Sequence, residues 1–142
     1  MVESPRLLAA RGRLSLAEAR YRFEEGLLHL EEGLALLEEV MTGNSPADRT
    51  VAQNLVATYS NKIYACVKNL VDTDRGLPEP DLEHLFRVVR AFDHRGFELP
   101  ADARLTKITV VRCLIDRYYE GRSAAEKRAA LEQLASISGE PG

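Results

Sequence analysis

The strongest constraint in this chain is a heptad repeat of apolar residues between residues 23 and 43. The spacing alternates between four and three residues at Phe23, Leu27, Leu30, Leu34, Leu37 and Met41. Such spacing places these side chains along one face of an α-helix. Because the repeat keeps its register across Gly33, it predicts one continuous helix. Ser15 and Glu18 form a capping-box pattern at its start, and Gly43 marks its end.

Small residues form a second stripe on the same predicted helix. Gly26 and Gly33 lie seven residues apart, in line with Ala19 and Val40. Each glycine weakens a helix by about 1 kcal/mol relative to alanine. Close packing of another helix against this stripe would offset that loss, so we interpret the stripe as a helix-packing surface.

The remaining sequence predicts four further helices. Ser45 and Pro46 are an N-cap and a first-turn proline, and they begin a helix that ends near residue 72. Further helices are expected at about 81–95, 102–119 and 123–137, with stops at Gly96 and Gly121. The β-branched run at 108–111 also suits a strand, but the helical spacing around it favours a helix.

These elements predict an all-α fold of antiparallel helical hairpins in a bundle of about five helices. The connections are short, and short connections join antiparallel neighbours. We expect a single domain over residues 1–142, with a flexible leader at 1–14 and a tail at 139–142.

Acidic doublets recur in step with the heptad repeat. They form the acidic ridge, which comprises Glu24, Glu25, Glu31, Glu32, Glu38 and Glu39, in a segment (23–48) without Lys or Arg. Like charges along a helix repel each other. Three explanations stay open at this point: a solvated face, a basic partner protein, and docking within one chain or across a dimer against the basic residues of the second half, which are Arg87, Arg90, Arg104, Lys107 and Arg112.

The net charge of −3 conceals a separation of charge along the chain. Residues 1–83 hold 9 basic and 14 acidic side chains, whereas residues 84–131 hold 10 basic and 6 acidic ones. The second part contains a candidate basic patch of Arg87, Arg90, Arg104, Lys107 and Arg112. Interspersed acids and the absence of interleaved aromatic residues argue against a nucleic-acid partner.

No catalytic site, metal site or cofactor is expected. Phosphate loops, Gly-x-Ser-x-Gly, His-Glu-x-x-His and the Glu-x-x-His of di-iron bundles are absent from the sequence. No apolar run reaches the roughly 18 residues of a membrane span, so no membrane partner is expected. Cys66 and Cys113 fall within apolar helical patterns and, without a signal peptide, indicate reduced thiols in a cytoplasmic protein.

Two short stretches resemble tetratricopeptide repeats. Residues 23–26 together with Gly33 are similar to the first helix of that repeat, and residues 57–66 are similar to the second-repeat helix of peptide-binding members. The resemblance implies stacked helical hairpins. It also implies that Asn61 helps to hold the terminal carboxylate of a peptide, with Lys62 beside it.

The second predicted helix also has a polar face away from its apolar residues. This polar face comprises Asn54, Thr58, Asn61, Lys62 and Asn69. It is either a solvated surface or part of a peptide groove.

The sequence favours a non-enzymatic helical module for protein–protein interaction that associates with itself, as a homodimer. The heptad face and the small-residue stripe supply more apolar helix surface than one helix needs, and such surface requires a cover. The alternatives are a small helical enzyme or metal-binding bundle, and a nucleic-acid-binding regulator that uses residues 84–131.

Overall fold

Helices account for most of the described part of the chain, as predicted. The computed structural model describes residues 4–93, 97–120, 123–126, 128, 129 and 132, and no β-strand occurs in these residues. The helices are α1 (Pro5–Ala19), α2 (Glu24–Met41), α3 (Pro46–Thr73), α4 (Glu79–Arg90) and α5 (Ala101–Tyr118). The all-α fold class is therefore confirmed, and residues 108–111 are helical.

Two of the predicted helix starts are confirmed by their capping hydrogen bonds. The hydroxyl of Ser45 accepts the backbone N–H of Asp48 at 3.2 Å, and Pro46 occupies the first turn of α3. At the start of the last predicted helix, Ser123 Oγ accepts the backbone N–H of Glu126 at 3.2 Å. The stops at Gly96 and Gly121, the end of the last helix and the tail at 139–142 lie outside the described residues.

The expectations for the first 43 residues are wrong in two respects. Residues 5–14 are not a flexible leader, because they form most of α1. The predicted continuous helix is interrupted at residues 20–23, so that the heptad repeat belongs to α2 alone. Ser15 is consequently not an N-cap. It lies inside α1, and its hydroxyl is 2.8 Å from the hydroxyl of Tyr59.

The interruption follows from the phases of the two apolar patterns. The buried residues of α1 are each at most 1% exposed and are spaced three, four and three residues apart at Leu7, Ala10, Leu14 and Ala17. This pattern does not continue the heptad register of α2. One straight helix would place the two apolar faces on different sides, so only a hairpin buries both against the same core.

The helices alternate in direction around α3, the longest of them. With 28 residues, α3 is about 42 Å long. Contacts of α1 and the following turn with α3 advance together along both segments, from Ser15–Tyr59 to Tyr21–Cys66, so the two helices run parallel. The contacts from Gln53–Glu98 to Val71–Arg117 show that α5 also runs parallel to α3. α2 and α4 run in the opposite direction.

One apolar core connects all five helices. Its largest fully buried side chains come mainly from α1, α2 and α3, with contributions from α4 and α5: Leu7, Leu14, Leu30, Leu34, Leu37, Ile63, Tyr64, Leu85 and Leu114. The heptad face of α2 is thus buried as predicted, with two exceptions. Phe23 is 54% exposed at the turn, and Met41 is only partly buried.

Gly26 and Gly33 of the predicted small-residue stripe lie where α1 and its turn pack on α2, whereas Ala19 belongs to α1 and is not part of the stripe. A Cβ atom added to Gly33 would lie 3.2 Å from side-chain atoms of Arg13 and Leu14. The approach is closer still at Gly26, where a Cβ would lie 1.9 Å from the carbonyl oxygen of Arg20. The helix that covers the stripe is therefore the segment that the sequence analysis assigned to the leader.

We predict that Gly26→Ala lowers the free energy of unfolding by about 2 kcal/mol or more, because the clash involves backbone that cannot move without opening the turn. Gly33→Ala is the matched control. Its Cβ meets only side chains, and the gain in helix propensity of about 1 kcal/mol offsets the crowding. Urea denaturation followed by circular dichroism measures both. Equal stabilities of the two variants would contradict the packing described here.

Candidate interaction surface

The acidic ridge is largely neutralised within the chain. Three ion pairs link it to α1: Glu39–Arg6 at 3.1 Å, Glu32–Arg13 at 3.2 Å and Glu25–Arg20 at 3.7 Å. Each step of seven residues along α1 is matched by a step of seven in the opposite direction along α2. The pairs therefore define a single antiparallel register for the hairpin.

Of the other members of the acidic doublets, Glu24 contacts α4. Glu24 accepts a hydrogen bond from Arg87 at 3.1 Å and lies 3.6 Å from Nδ1 of His84. Glu38 is partly buried, and Glu31 is exposed. Of the three explanations for the ridge, these contacts favour pairing within one chain, although most of the arginines are those of α1 and only Arg87 belongs to the basic patch.

The three pairs between α1 and α2 contribute more to register than to stability. Their side chains are about half exposed, between 44% and 66%. Ion pairs of this kind are each worth up to about 1 kcal/mol, because water screens them and ordering long side chains costs entropy. A shift of the register by fewer than seven residues would however separate all three pairs together, and a shift by seven would lose one of them, so they favour one alignment of the hairpin.

Two partly buried hydrogen bonds connect the turn between α1 and α2 to α4 and α3. Nε2 of His84, a residue only 6% exposed, donates a hydrogen bond to the carbonyl oxygen of Tyr21 at 2.8 Å. The hydroxyl of Tyr21 donates to the carbonyl of Cys66 at 3.4 Å. Burial raises the pKa of the Tyr21 hydroxyl, and the nearby thiol of Cys66 adds to the shift. The sequence analysis did not identify this role of His84.

The predicted basic patch does not form one exposed surface. Arg90, Arg104 and Arg112 are exposed, but Arg87 is paired with Glu24. Lys107 is buried, with its side chain 8% exposed, and its ammonium group donates to the carboxylate of Asp93. Two of the five residues are therefore engaged inside the chain.

Lys107 belongs to a buried polar cluster that sequence reasoning missed, because lysine is rarely buried. The second carboxylate oxygen of Asp93 and the hydroxyl of Tyr64 are buried and have no hydrogen-bond partner within the described part of the chain. Burial and the neighbouring charge of Asp93 together raise the pKa of Tyr64. The cluster connects the turn after α4 to α3 and α5.

The predicted polar face lies on α3, and its side chains make few contacts; we call it the α3 polar face. Asn54, Thr58, Lys62 and Asn69 are exposed, and Asn61 is partly buried. The ammonium group of Lys62 lies over the ring of Tyr59, 5.3 Å from its centre. A solvated surface and a peptide groove both fit this geometry.

Exposed apolar side chains are concentrated on the hairpin of α1 and α2. Among the described residues, five large apolar side chains are exposed: Leu8 at 52%, Leu16 at 45%, Phe23 at 54%, Leu28 at 57% and Leu105 at 65%. The first four belong to the hairpin or its turn. The heptad repeat predicted a buried position for Phe23, and the exposure of Leu8 and Leu16 was missed because no α1 was predicted.

The described residues contain no group of three or more His, Cys, Asp or Glu side chains placed to hold a metal ion. Both cysteines are free thiols and partly buried, and burial raises the pKa of Cys66. None of the helices in the described ranges is both long and apolar enough to cross a bilayer. No family model, curated protein or solved structure matches the chain.

A double-mutant cycle tests the register of the hairpin. We expect Arg13→Ala and Glu32→Ala to show a coupling free energy of about 0.3–1 kcal/mol that decreases in about 1 M salt. The control cycle combines Arg13→Ala with Glu39→Ala, whose side chains belong to different pairs. Urea denaturation measures all variants. Equal coupling in the two cycles would contradict the register.

We expect that replacing one residue of the buried Lys107–Asp93 pair destabilises the protein more than replacing both. Lys107→Met leaves the carboxylate of Asp93 buried without its partner and should lower the free energy of unfolding by about 3–5 kcal/mol. The double variant with Asp93→Leu should recover most of this loss. Chemical denaturation of the single and double variants measures the difference. Additive losses would show that the two side chains are not a buried ion pair.

Proposed function

We propose that this protein is a non-enzymatic helical interaction module that associates with itself through the outer side of the α1–α2 hairpin. The observation that carries the proposal is the position of the exposed apolar side chains. Leu8, Leu16, Phe23 and Leu28 lie on this hairpin and its turn, each 45% exposed or more. Large apolar side chains left exposed on one hairpin indicate an interaction site, because burying them away from water is favourable.

The charge pattern supports the same surface. Arg6, Arg13 and Arg20 are paired with glutamates of α2 within the hairpin. A partner that covers the apolar side chains therefore meets charges that are already neutralised, which reduces the cost of removing them from water. The acidic ridge has correspondingly little net charge left to attract a basic partner.

Other surfaces give less support to the alternatives. Nucleic-acid binding through residues 84–131 would rely on Arg90, Arg104 and Arg112, since Arg87 and Lys107 are engaged. A peptide groove on α3, as the resemblance to tetratricopeptide repeats implies, would rely on Asn61 and Lys62. Neither surface combines exposed apolar side chains with neutralised charge.

Light scattering or sedimentation equilibrium over a range of concentrations tests the proposal. We expect a mass above that of one chain at about 100 μM, falling toward the monomer on dilution. Substituting serine for Leu8, Leu16, Phe23 and Leu28 together should abolish the association. Leu105→Ser on α5 is the control, because it removes an equally exposed leucine outside the hairpin, and it should leave the association unchanged.

Two results would overturn the proposal. One is a monomer at every concentration of the unmodified protein. The other is association that survives the serine substitutions in the hairpin but is lost when Asn61 and Lys62 are replaced by alanine. That second result would assign the interface to the α3 polar face.

A further inference from the structure

The side of α1 that faces away from the bundle carries no charged residue. We call it the outer face of α1, and all its members are exposed: Pro5, Leu8, Ala9, Gly12, Leu16, Ala19 and, at the edge toward α3 where its hydroxyl contacts that of Tyr59, Ser15. Among the described helices, α1 packs only against α2 and α3. The outer face is therefore in contact with solvent, where helices ordinarily carry charged and polar side chains. Its composition is instead that of a helix–helix contact.

Gly12 lies at the centre of the outer face, and no contact among the described residues explains why this position is a glycine. A Cβ atom added there meets nothing within 4 Å. Glycine weakens a helix relative to alanine, so alanine would be the better residue in an isolated chain. The other two glycines of the hairpin, Gly26 and Gly33, each lie where α1 approaches closely. Gly12 has the same role if a further helix approaches α1 from outside.

The outer face is also symmetric about Gly12. Leu8 and Leu16 lie four residues before and after it, Ala9 and Ser15 three residues, and Pro5 and Ala19 seven residues. An interface around a two-fold axis requires a surface that is complementary to itself. When two such helices cross antiparallel at Gly12, Leu8 of one copy meets Leu16 of the other, and small residues lie between them.

We propose that the partner of the outer face of α1 is a second copy of this chain, with the two α1 helices packed antiparallel around a two-fold axis at Gly12. This rests on the proposed self-association and specifies its geometry. The arginines at one edge of the face do not oppose the pairing, because Arg13 is paired with Glu32 and Arg6 with Glu39. The helix has only 15 residues, so the interface is small and the dimer dissociates on dilution.

Disulfide crosslinking tests the register. The double variant Leu8→Cys/Leu16→Cys should form a covalent dimer on oxidation, through a disulfide between position 8 of one copy and position 16 of the other. The two positions within one helix are about 12 Å apart, too far for a bridge. Each single variant is the control and should not crosslink, since its cysteine lies about 12 Å from the same position of the partner. The bonds are mapped by mass spectrometry, which separates them from Cys66 and Cys113.

Gly12→Ala gives a second measurement that does not depend on a disulfide. It should weaken dimerisation roughly tenfold, because its methyl groups meet at the axis, while the dilute monomer unfolds at a higher temperature. An unchanged dissociation constant, or single variants that crosslink as well as the double variant, would overturn the inference. If the unmodified protein is a monomer at every concentration, the proposed function fails. If the unmodified protein associates, but Gly12→Ala leaves the dissociation constant unchanged or the single variants crosslink as well as the double variant, only the proposed dimer geometry is wrong.

Discussion

α1 and its turn pack closely on α2 at Gly26 and Gly33, and the remaining structure depends on this contact, which leaves no room for a side chain at Gly26. It places Leu7 and Leu14 over the same core as the heptad face of α2. Without it, α1 would lose the apolar surface that stabilises it, because a helix of 15 residues is marginal on its own in water. The contact also determines which side of α1 remains exposed.

The ion pairs determine how α1 and α2 are aligned along each other. Apolar packing against small residues allows the two helices to approach closely, but it determines their relative position along the helix axis less well. The arginines of α1 and the glutamates of α2 repeat with the same period of seven, so one alignment satisfies all three pairs. At the turn, His84 of α4 binds the carbonyl of Tyr21 and connects the hairpin to the other half of the bundle. The hairpin is therefore fixed by the packing of α1 on α2, by the ion pairs along both helices and by the His84 contact at the turn.

Most of the fold could be predicted from apolar spacing and capping residues. α3, α4 and α5 lie close to their predicted positions because Ser45, Pro46 and the apolar patterns after them are strong local signals. The hairpin was missed because Arg20, Tyr21 and Arg22 are all compatible with a helix, so no residue marks the turn. The available signal was the spacing of Leu7, Ala10, Leu14 and Ala17, whose phase differs from that of the heptad repeat.

The candidate surface was harder to predict than the fold. The doublet pattern identified the acidic ridge correctly, but two of its basic partners, Arg6 and Arg13, lay in the segment assigned to the leader. Lys107 was placed on the surface because an isolated lysine gives no sign that Asp93 neutralises it in the interior. The exposure of Leu8 and Leu16 depends on which side of α1 faces α2, and that is set by tertiary contacts rather than by local sequence.

The central claim is that residues 5–19 form a helix docked on α2. Nuclear magnetic resonance tests it most directly, through nuclear Overhauser contacts between the α-protons of Gly33 and the Cδ2 methyl group of Leu14, whose carbon lies 3.2 Å from the position of an added Cβ. The account predicts strong contacts and slow amide exchange over residues 8–17, at a level comparable to α2. Random-coil chemical shifts and unprotected amides in this segment would contradict it.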